Sequence, residues 1–526
     1  MTAQTPRSPR AAWPLLALIV AVLFASVAKT AADPDLWGHL RFGLDTLAQG
    51  GVVRTDPYAY VTTPGSWINH EWLAEVSFAL AYSVLGVWGL GALKAVVGVA
   101  VLGAVFVRAR HTGGGLVGPT LVSVLAAVTV LPQLHAVRPQ IYTVGLLTAL
   151  LLVLCAHERG RRGVLWASVP ILMAWVNLHG GVLAGAGLLL AWYAGRVLER
   201  LIQARGLPAA DGPGWGRRLE ALLAPQELGP VLAALAATLV NPYGPGLPTF
   251  LLRTATGARP EIQDWQPATL NSYTGVCYLV LLLVLAAVYL RGRQRPSLPQ
   301  SAILAVLLVV ALGAQRHIAL LGLAVALLAG PALQSLLPVS LRASASESAV
   351  SGNPRLHRTL DILVVVLAVA MAGYGLWSLG DIRYASGDYP VRAVQLLSAH
   401  VDEANLVTPY NWGEYVIWHL GPEIRVSMDG RRETVYSDEA YARSLAWHFG
   451  TDGWDALLDD PAADLALVKA GHPTDNLMRL KPGWERVYAD ETAAVYARSG
   501  SALATRLRTA AAGLERTPLP ETLLFP

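Results

Sequence analysis

Runs of about 20 apolar residues recur along the first 380 positions, and no other feature constrains the fold as strongly. Such a run crosses a hydrocarbon core about 30 Å thick. No water is present there to satisfy backbone groups, so each run must be a helix. The chain is 54% hydrophobic and only 14% charged over 526 residues. A soluble chain would carry about a quarter charged residues, so a soluble globular fold is excluded. Eleven spans are expected: 12–31, 86–107, 116–132, 139–156, 163–178, 180–197, 227–241, 272–290, 298–314, 317–335 and 359–379. Leu178-His179-Gly180-Gly181 divides one long apolar stretch, and 73–85 reads as an interfacial helix with Glu75, Ser77 and Ser83 on its polar side.

Charge fixes the orientation. With the N-terminus in the cytoplasm, inside segments hold 18 Lys+Arg and outside segments seven. Making 73–85 a further span would move Arg108 and all that follows across the membrane and reverse this bias, so the interfacial reading is preferred. Through residue 379 there are 26 basic and 15 acidic residues; from 380 on there are 14 and 21. The basic excess is therefore a topology signal and gives no reason to expect nucleic acid. The acidic remainder reads as a water-soluble domain, placed outside by the odd number of spans. Cys155 and Cys277 lie in apolar runs and form no disulfide framework. The first apolar stretch, after Arg7 and Arg10, reads as an uncleaved anchor. The Ser/Ala-rich stretch 337–358 reads as a cytoplasmic linker.

Polar groups collect on the outer side. The first loop, 32–85, offers Asp33, Asp35, His39, Asp56, His70, Glu71 and Glu75. Later outer ends add Arg138 and Gln140, Asn177 and His179, Asn241 and Tyr243, Glu261 and Asp264, and Arg316 and His317. Loop residues meet water and are polar for that reason alone. However, Arg138, His179 and Arg316 abut apolar runs, where ionisable groups are costly and usually face a wet cavity. Asp33-Pro34-Asp35 can hold a metal or supply a general base, and Asp35 alone can cap the helix that follows. That helix turns Trp37, Leu40 and Leu44 to one side and His39 and Arg41 away from it. His70-Glu71 reads as an ordinary helix start capped by Asn69, or as a second acid or metal ligand. A divalent metal on His39, His70, His179 and His317 is an open alternative; no other cofactor is implied. Arg138 and Arg316 suit phosphate geometry, with snorkelling as the plainer reading.

The order of a first span, an Asp-x-Asp motif, a long outer loop with flat helices, about eleven spans and an outer soluble domain resembles the GT-C superfamily of integral-membrane glycosyltransferases. Within it the chain is similar to the protein O-mannosyltransferase and aminoarabinose-transferase type. The segments DPDLWGHLRFG, TDPYAYV, WINHEWLAE, RPQ, NLHGG and NPYG look like those of a large group of bacterial membrane proteins with this plan. The resemblance covers essentially the whole chain. It implies an all-α polytopic bundle (1–379) with a small α/β extracytoplasmic domain (380–498) and a tail (499–526), in the bacterial inner membrane. It implies transfer of a sugar from a polyprenyl-phosphate donor to an extracytoplasmic acceptor of unspecified kind, in contact with membrane lipids. Catalytic roles fall on Asp33, Asp35 and Glu71. Substrate-binding roles fall on His39, His70, Arg138, Gln140, Asn177, His179, Asp264, Arg316 and His317. Two rivals remain: a non-catalytic scaffold or lipid-binding partner in envelope polysaccharide assembly, and a flippase or transporter. The one-sided placement of polar groups and the lack of an inverted repeat weigh against the last, and Lys94 is the one charge well inside a span.

In the soluble part, 405–410, 424–430 and 463–470 read as strands, 411–420 as a helix, and 485–498 as a hairpin with Asp490-Glu491 near its turn. Asp429-Gly430-Arg431 reads as a tight turn with an exposed charge pair, in preference to a ligand site at a strand end. Trp412 and Trp418 read as core packing before a sugar-stacking surface. The tail from 499 reads as Ala- and Arg-rich and helical, ending in a Pro-containing loose segment.

Overall fold

The structure, a computed structural model, describes residues 13–62, 67–112, 115–205, 223–255, 257, 259, 261–338, 354–513 and 518–526. Arg7, Arg10, Arg217, Arg218, Arg342 and most of the 337–358 stretch lie outside them. Helices occupy the positions of the expected spans. Among the described residues six are long and apolar enough to cross a membrane: Val87–Thr112, Gln140–Glu158, Val182–Ala204, Tyr273–Arg291, Gln315–Ser335 and Arg358–Leu379. Trp13–Ala28, Val117–Gln133, Arg162–Leu178 and Leu298–Gly313 are shorter apolar helices, as is the Trp72–Leu85 helix. The chain is a multi-pass membrane protein.

Two compact units emerge. One comprises Met1–Thr30, Gly91–His135 and Pro139–Gly380; the other comprises Ala31–Leu90, Ala136–Arg138 and Asp381–Pro526. The first outer loop, grouped by sequence with the membrane bundle, thus folds together with the C-terminal residues. Backbone pairing explains why. Tyr60 N–H donates to Val426 O (3.2 Å), Val426 N–H to Tyr58 O (2.8 Å), and Ile68 N–H to Thr434 O (3.3 Å).

In the helical unit, the first helix packs along Pro354–Leu379, and Val182–Arg205 along Leu298–Gly313. Lys94, fully buried, donates to three carbonyls, those of Val27, Lys29 and Leu134, each at 2.7 Å. Helix ends leave carbonyls without intrahelical partners, and one ammonium supplies three donors. Lys94 thus ties together three chain segments. Lys94→Met is expected to strand those carbonyls and cost ~3 kcal/mol, read as a lower thermal midpoint in detergent.

In the second unit, β1 (Arg383–Ala385) pairs with β7 (Thr522–Leu524). A mixed sheet joins β2 (Ala404–Val407), β3 (Ile424–Val426), β4 (Leu465–Lys469), β5 (Trp484–Ala489) and β6 (Ala493–Arg498) in the order β3-β2-β4-β6-β5. β2 runs parallel to β3 and β4, and the β5–β6 hairpin closes the antiparallel side. β4 is buried along Leu465, Ala466, Leu467 and Val468, so both faces are covered, as its unbroken apolar run requires. Asp490 shapes the hairpin turn by accepting from Thr492 N–H (2.8 Å) and Ala493 N–H (2.7 Å). Trp412 is buried and donates to Asp388 O (2.8 Å), a packing role. The end of the chain is not loose. β7 is paired, and Phe525 is buried with its ring 5.1 Å from that of Trp37.

Candidate functional site

The second unit holds an acid set built on the first loop. Pro34 and the short Asx turn at Asp33, whose Oδ1 accepts from Asp35 N–H (3.1 Å), lead into the Leu36–Gln49 helix. Asp35 occupies the N-cap position without a side-chain cap bond. Its carboxylate is used elsewhere: Arg138 Nη2 donates to Asp35 Oδ2 (2.5 Å) and Arg138 Nε to Asp33 Oδ1 (2.8 Å). Arg138 is available for this because Pro139 follows it. The residue before a proline is steered out of the helix, which begins only at Gln140. A bridge between Ala31 and Ala136 then sets the two strips side by side. Burial and the neighbouring Asp35 charge raise the Asp33 pKa, and Arg138 opposes them. Burial works against the guanidinium charge, yet Asp35 and Asp33 hold the Arg138 pKa above its ordinary value.

One helical turn on, His39 Nδ1 meets Glu75 Oε1 at 3.3 Å, and Asn69 Nδ2 donates to Glu75 Oε2 at 2.5 Å. Burial disfavours the imidazolium, but the hydrogen bond to Glu75 and the charges of Glu71, Glu75 and Asp35 push His39 up to about 9. Glu71 occupies the N-cap position of the Trp72–Leu85 helix, its N–H donating to Asn69 Oδ1 (3.2 Å), and His70 Nε2 stands 3.6 Å from Glu71 Oε1. Asp33, Asp35, His39, His70, Glu71 and Arg138 thus belong to one unit. Among the described residues no three His, Cys, Asp or Glu side chains are grouped as metal ligands.

Behind this set lies a second ion cluster. Arg431 donates from Nε to Asp429 Oδ1 (2.9 Å), from Nη2 to Asp429 Oδ2 (2.7 Å) and from Nη1 to Asp56 Oδ1 (2.7 Å). Tyr436 OH donates to Asp429 Oδ2 (2.6 Å), and the guanidinium lies 4.8 Å from the ring centroids of both Phe42 and Trp67. Asp429 is 0% and Arg431 8% exposed, which corrects the expectation of an exposed charge pair at this turn. The TDPYAYV segment covers it, an arrangement invisible in local sequence because Asp56 and Arg431 are 375 residues apart.

The remaining candidates lie in the helical unit. Asn177 Nδ2 donates to Met173 O (2.8 Å) and Val240 O (2.9 Å), tying its helix to the NPYG turn, where Asn241 Oδ1 accepts from Tyr243 N–H (2.8 Å). His179 Nδ1 accepts from Gly181 N–H (2.9 Å) and stands 2.7 Å from Thr143 Oγ1. Gln140 Oε1 is buried without a hydrogen-bond partner. Asp264 and Arg316 line a small cavity of about 70 Å³ with Gln133, Thr274 and Gln315. His317 ends the short 3-10 turn Gln315–His317 that starts the next helix. Trp265 is flanked by two guanidinium groups, Arg316 at 4.6 Å and Arg259 at 3.8 Å from its ring. Gln315 fixes this pairing by its N–H to Gln266 O (2.9 Å) and its Nε2 to Gln263 O (2.6 Å). Sequence reading found Arg316 and missed Arg259; Arg259 lies six residues before Trp265, but nothing local joins either of them to Arg316.

Among the solved structures similar to this chain, two match it nearly end to end. They are ArnT from Cupriavidus metallidurans bound to undecaprenyl phosphate and the same protein in the apo state. The first has a TM-score of 0.51 at 16% identity and covers 94% of this chain and 99% of that one. The second has a TM-score of 0.51 at 17% identity and covers 93% and 98%. The chain has a GT-C-like fold. No protein-family model matches the chain, and no curated protein does. The GT-C-like fold therefore rests on architecture, with the Asp-x-Asp motif directly after the first apolar helix.

Proposed function

We propose that the protein is a membrane glycosyltransferase that moves a sugar from a polyprenyl-phosphate donor to an extracytoplasmic acceptor. The observation that carries this reading is the Asp33–Asp35–Arg138 set at the head of the Leu36–Gln49 helix, in a chain of GT-C-like fold. The ArnT structure with undecaprenyl phosphate supports a lipid phosphate as donor class. Transfer asks for a base that takes the acceptor proton and a cation that stabilises the departing phosphate. Asp33 or Asp35 fills the first role, and the burial that raises the Asp33 pKa favours proton uptake there. Arg138 orients both carboxylates. Glu71, with His39 and His70, belongs to the same unit and is read as shaping the acceptor side. Arg316, joined by Arg259 across Trp265, is the phosphate binder this reading favours, with His317 next to Arg316 in the chain and Asp264 next to Trp265. Gln140, Asn177 and His179 are assigned to the donor side. The transporter alternative loses its one sequence argument, since the Lys94 ammonium is engaged by three carbonyls.

The test is lipid identity. Wild-type protein purified in mild detergent is expected to carry a polyprenyl phosphate or its sugar adduct, identified by mass spectrometry. Arg259→Ala/Arg316→Ala is expected to carry at least ~10-fold less, as loss of about 1.4 kcal/mol would give. Bulk phospholipid alone in both samples overturns the donor assignment and favours the scaffold reading.

A further inference from the structure

The C-terminal part of the chain sends one carboxyl into the acid set that the proposed reaction does not use. Glu414, in the first turn of the Gly413–Leu420 helix, is 4% exposed, and its Oε2 has no hydrogen-bond partner. A buried polar atom without a partner is uncommon and costly, and a buried unpaired carboxylate is far more so. Two glycines let it reach this position. A Cβ at Gly38 would collide with the Glu414 carboxyl, so only glycine lets that carboxyl lie against the Leu36–Gln49 helix. A Cβ at Gly430 would stand 2.6 Å from Glu414 Oε1 and 2.7 Å from Asp35 Oδ1. Both oxygens therefore crowd the space that a side chain at position 430 would take.

We propose that Glu414 is a positioning residue for Asp35, its buried carboxyl standing beside that of Asp35 at Gly430 in the neutral, protonated form. The charged and titratable groups facing Glu414 come from every element around it. Asp35 comes from the first loop, Glu75 from the Trp72–Leu85 helix, Asp429 and Arg431 from the turn after β3, and Tyr410 from the turn before its own helix. Of these only Arg431 favours a charged Glu414, and Arg431 is already engaged by Asp429 and Asp56. Burial first, then the Asp35 and Asp429 charges, hold the Glu414 carboxyl well above the ordinary carboxylate range. Glu414 is thus the protonated carboxyl, while Asp35 is engaged by Arg138 (2.5 Å). Ionising Glu414 would set three carboxylates against the one Arg138 guanidinium and disfavour an anionic donor. The functional consequence rests on the transferase reading; the pairing does not.

Infrared spectroscopy of the full-length protein in detergent tests the pairing without any substrate. Wild type at neutral pH is expected to show a protonated-carboxyl C=O stretch that is lost in Glu414→Gln. In Asp35→Asn the same stretch is expected to disappear on alkaline titration at a midpoint lower by roughly one pH unit, because the neighbouring charge that holds the proton is gone. A stretch that persists in Glu414→Gln, or a midpoint unmoved by Asp35→Asn, overturns the pair. With a polyprenyl-phosphate sugar as probe, the donor KM of wild type should rise at the pH where the stretch is lost, and that of Glu414→Gln should not. Absence of transfer in all variants, with the infrared result as expected, would overturn the transferase reading and leave the pair standing.

Discussion

Arg431→Leu is expected to destabilise the protein by about 3–5 kcal/mol, the largest stability loss predicted from any single side chain here. The reason is what it leaves behind. Asp429 is fully buried and takes three of its hydrogen bonds from Arg431, two from the side chain and one from the backbone N–H (2.9 Å). Asp56 depends on the same guanidinium (2.7 Å). Truncation leaves two buried carboxylates short of a counter-charge and removes the cation seated over Phe42 and Trp67. The first loop and the turn after β3 share this cluster, so loop and sheet should lose protection in hydrogen exchange together. Limited proteolysis that cuts 31–62 no faster in the variant than in wild type would refute this. The pH dependence has a definite sign. Burial alone would raise Asp429, but Arg431 and Tyr436 hold its pKa below the ordinary 3.8. A depressed carboxylate contributes stability that is fully present above its unfolded pKa and lost as pH falls through the folded value. The Asp429 contribution therefore holds in mild acid and is lost only below the ordinary carboxylate range, whereas Asp56, raised by burial despite Arg431, contributes with the opposite sign. His39 works at the other end. Raised from 6.5 to about 9, it contributes stability fully present below pH 6.5 and lost as pH rises through about 9. His39→Gln should remove that alkaline decline while leaving the acid limb in place.

The parts of this architecture that follow local rules were legible in the sequence. Apolar runs had to be helices, and helices stand where those runs lie. The β5–β6 hairpin announced itself by two apolar segments around Asp490. What was not legible depended on pairing between distant residues. Nothing near Asp56 indicates that Arg431 will bond to it, and nothing near Glu414 indicates Asp35. The Asp-x-Asp motif was found by its position after the first span, but its true partner was not. Arg138 was assigned by chemistry to a phosphate, since guanidinium binds phosphate and carboxylate with the same fork. Only the three-dimensional arrangement puts Arg138 on Asp33 and Asp35, and that contact is the reason the phosphate role is proposed for Arg259 and Arg316. Likewise Asn177 and His179 looked like a polar patch at a membrane face, whereas they direct their bonds into helix ends and turns.

Asp33→Asn combined with Asp35→Asn is expected to lower transfer from a polyprenyl-phosphate sugar by about 10²–10⁴-fold in a reconstituted assay, the range general-base catalysis supplies. The double change is needed because either carboxylate retains one bond from Arg138 when the other is lost. It also separates catalysis from folding. Asparagine is nearly isosteric, and its carbonyl can still accept from Arg138, so the thermal midpoint should fall by far less than in Arg431→Leu. Arg138→Lys provides the opposite control. It keeps the positive charge but loses the fork that holds two carboxylates at once, so kcat should fall while donor KM changes little. A donor KM that rises instead would return Arg138 to the phosphate. If the double asparagine variant transfers at the wild-type rate, the Asp-x-Asp motif is not the base. If it transfers nothing and neither does wild type, yet both retain the same bound lipid, the acid set serves lipid-binding architecture without chemistry.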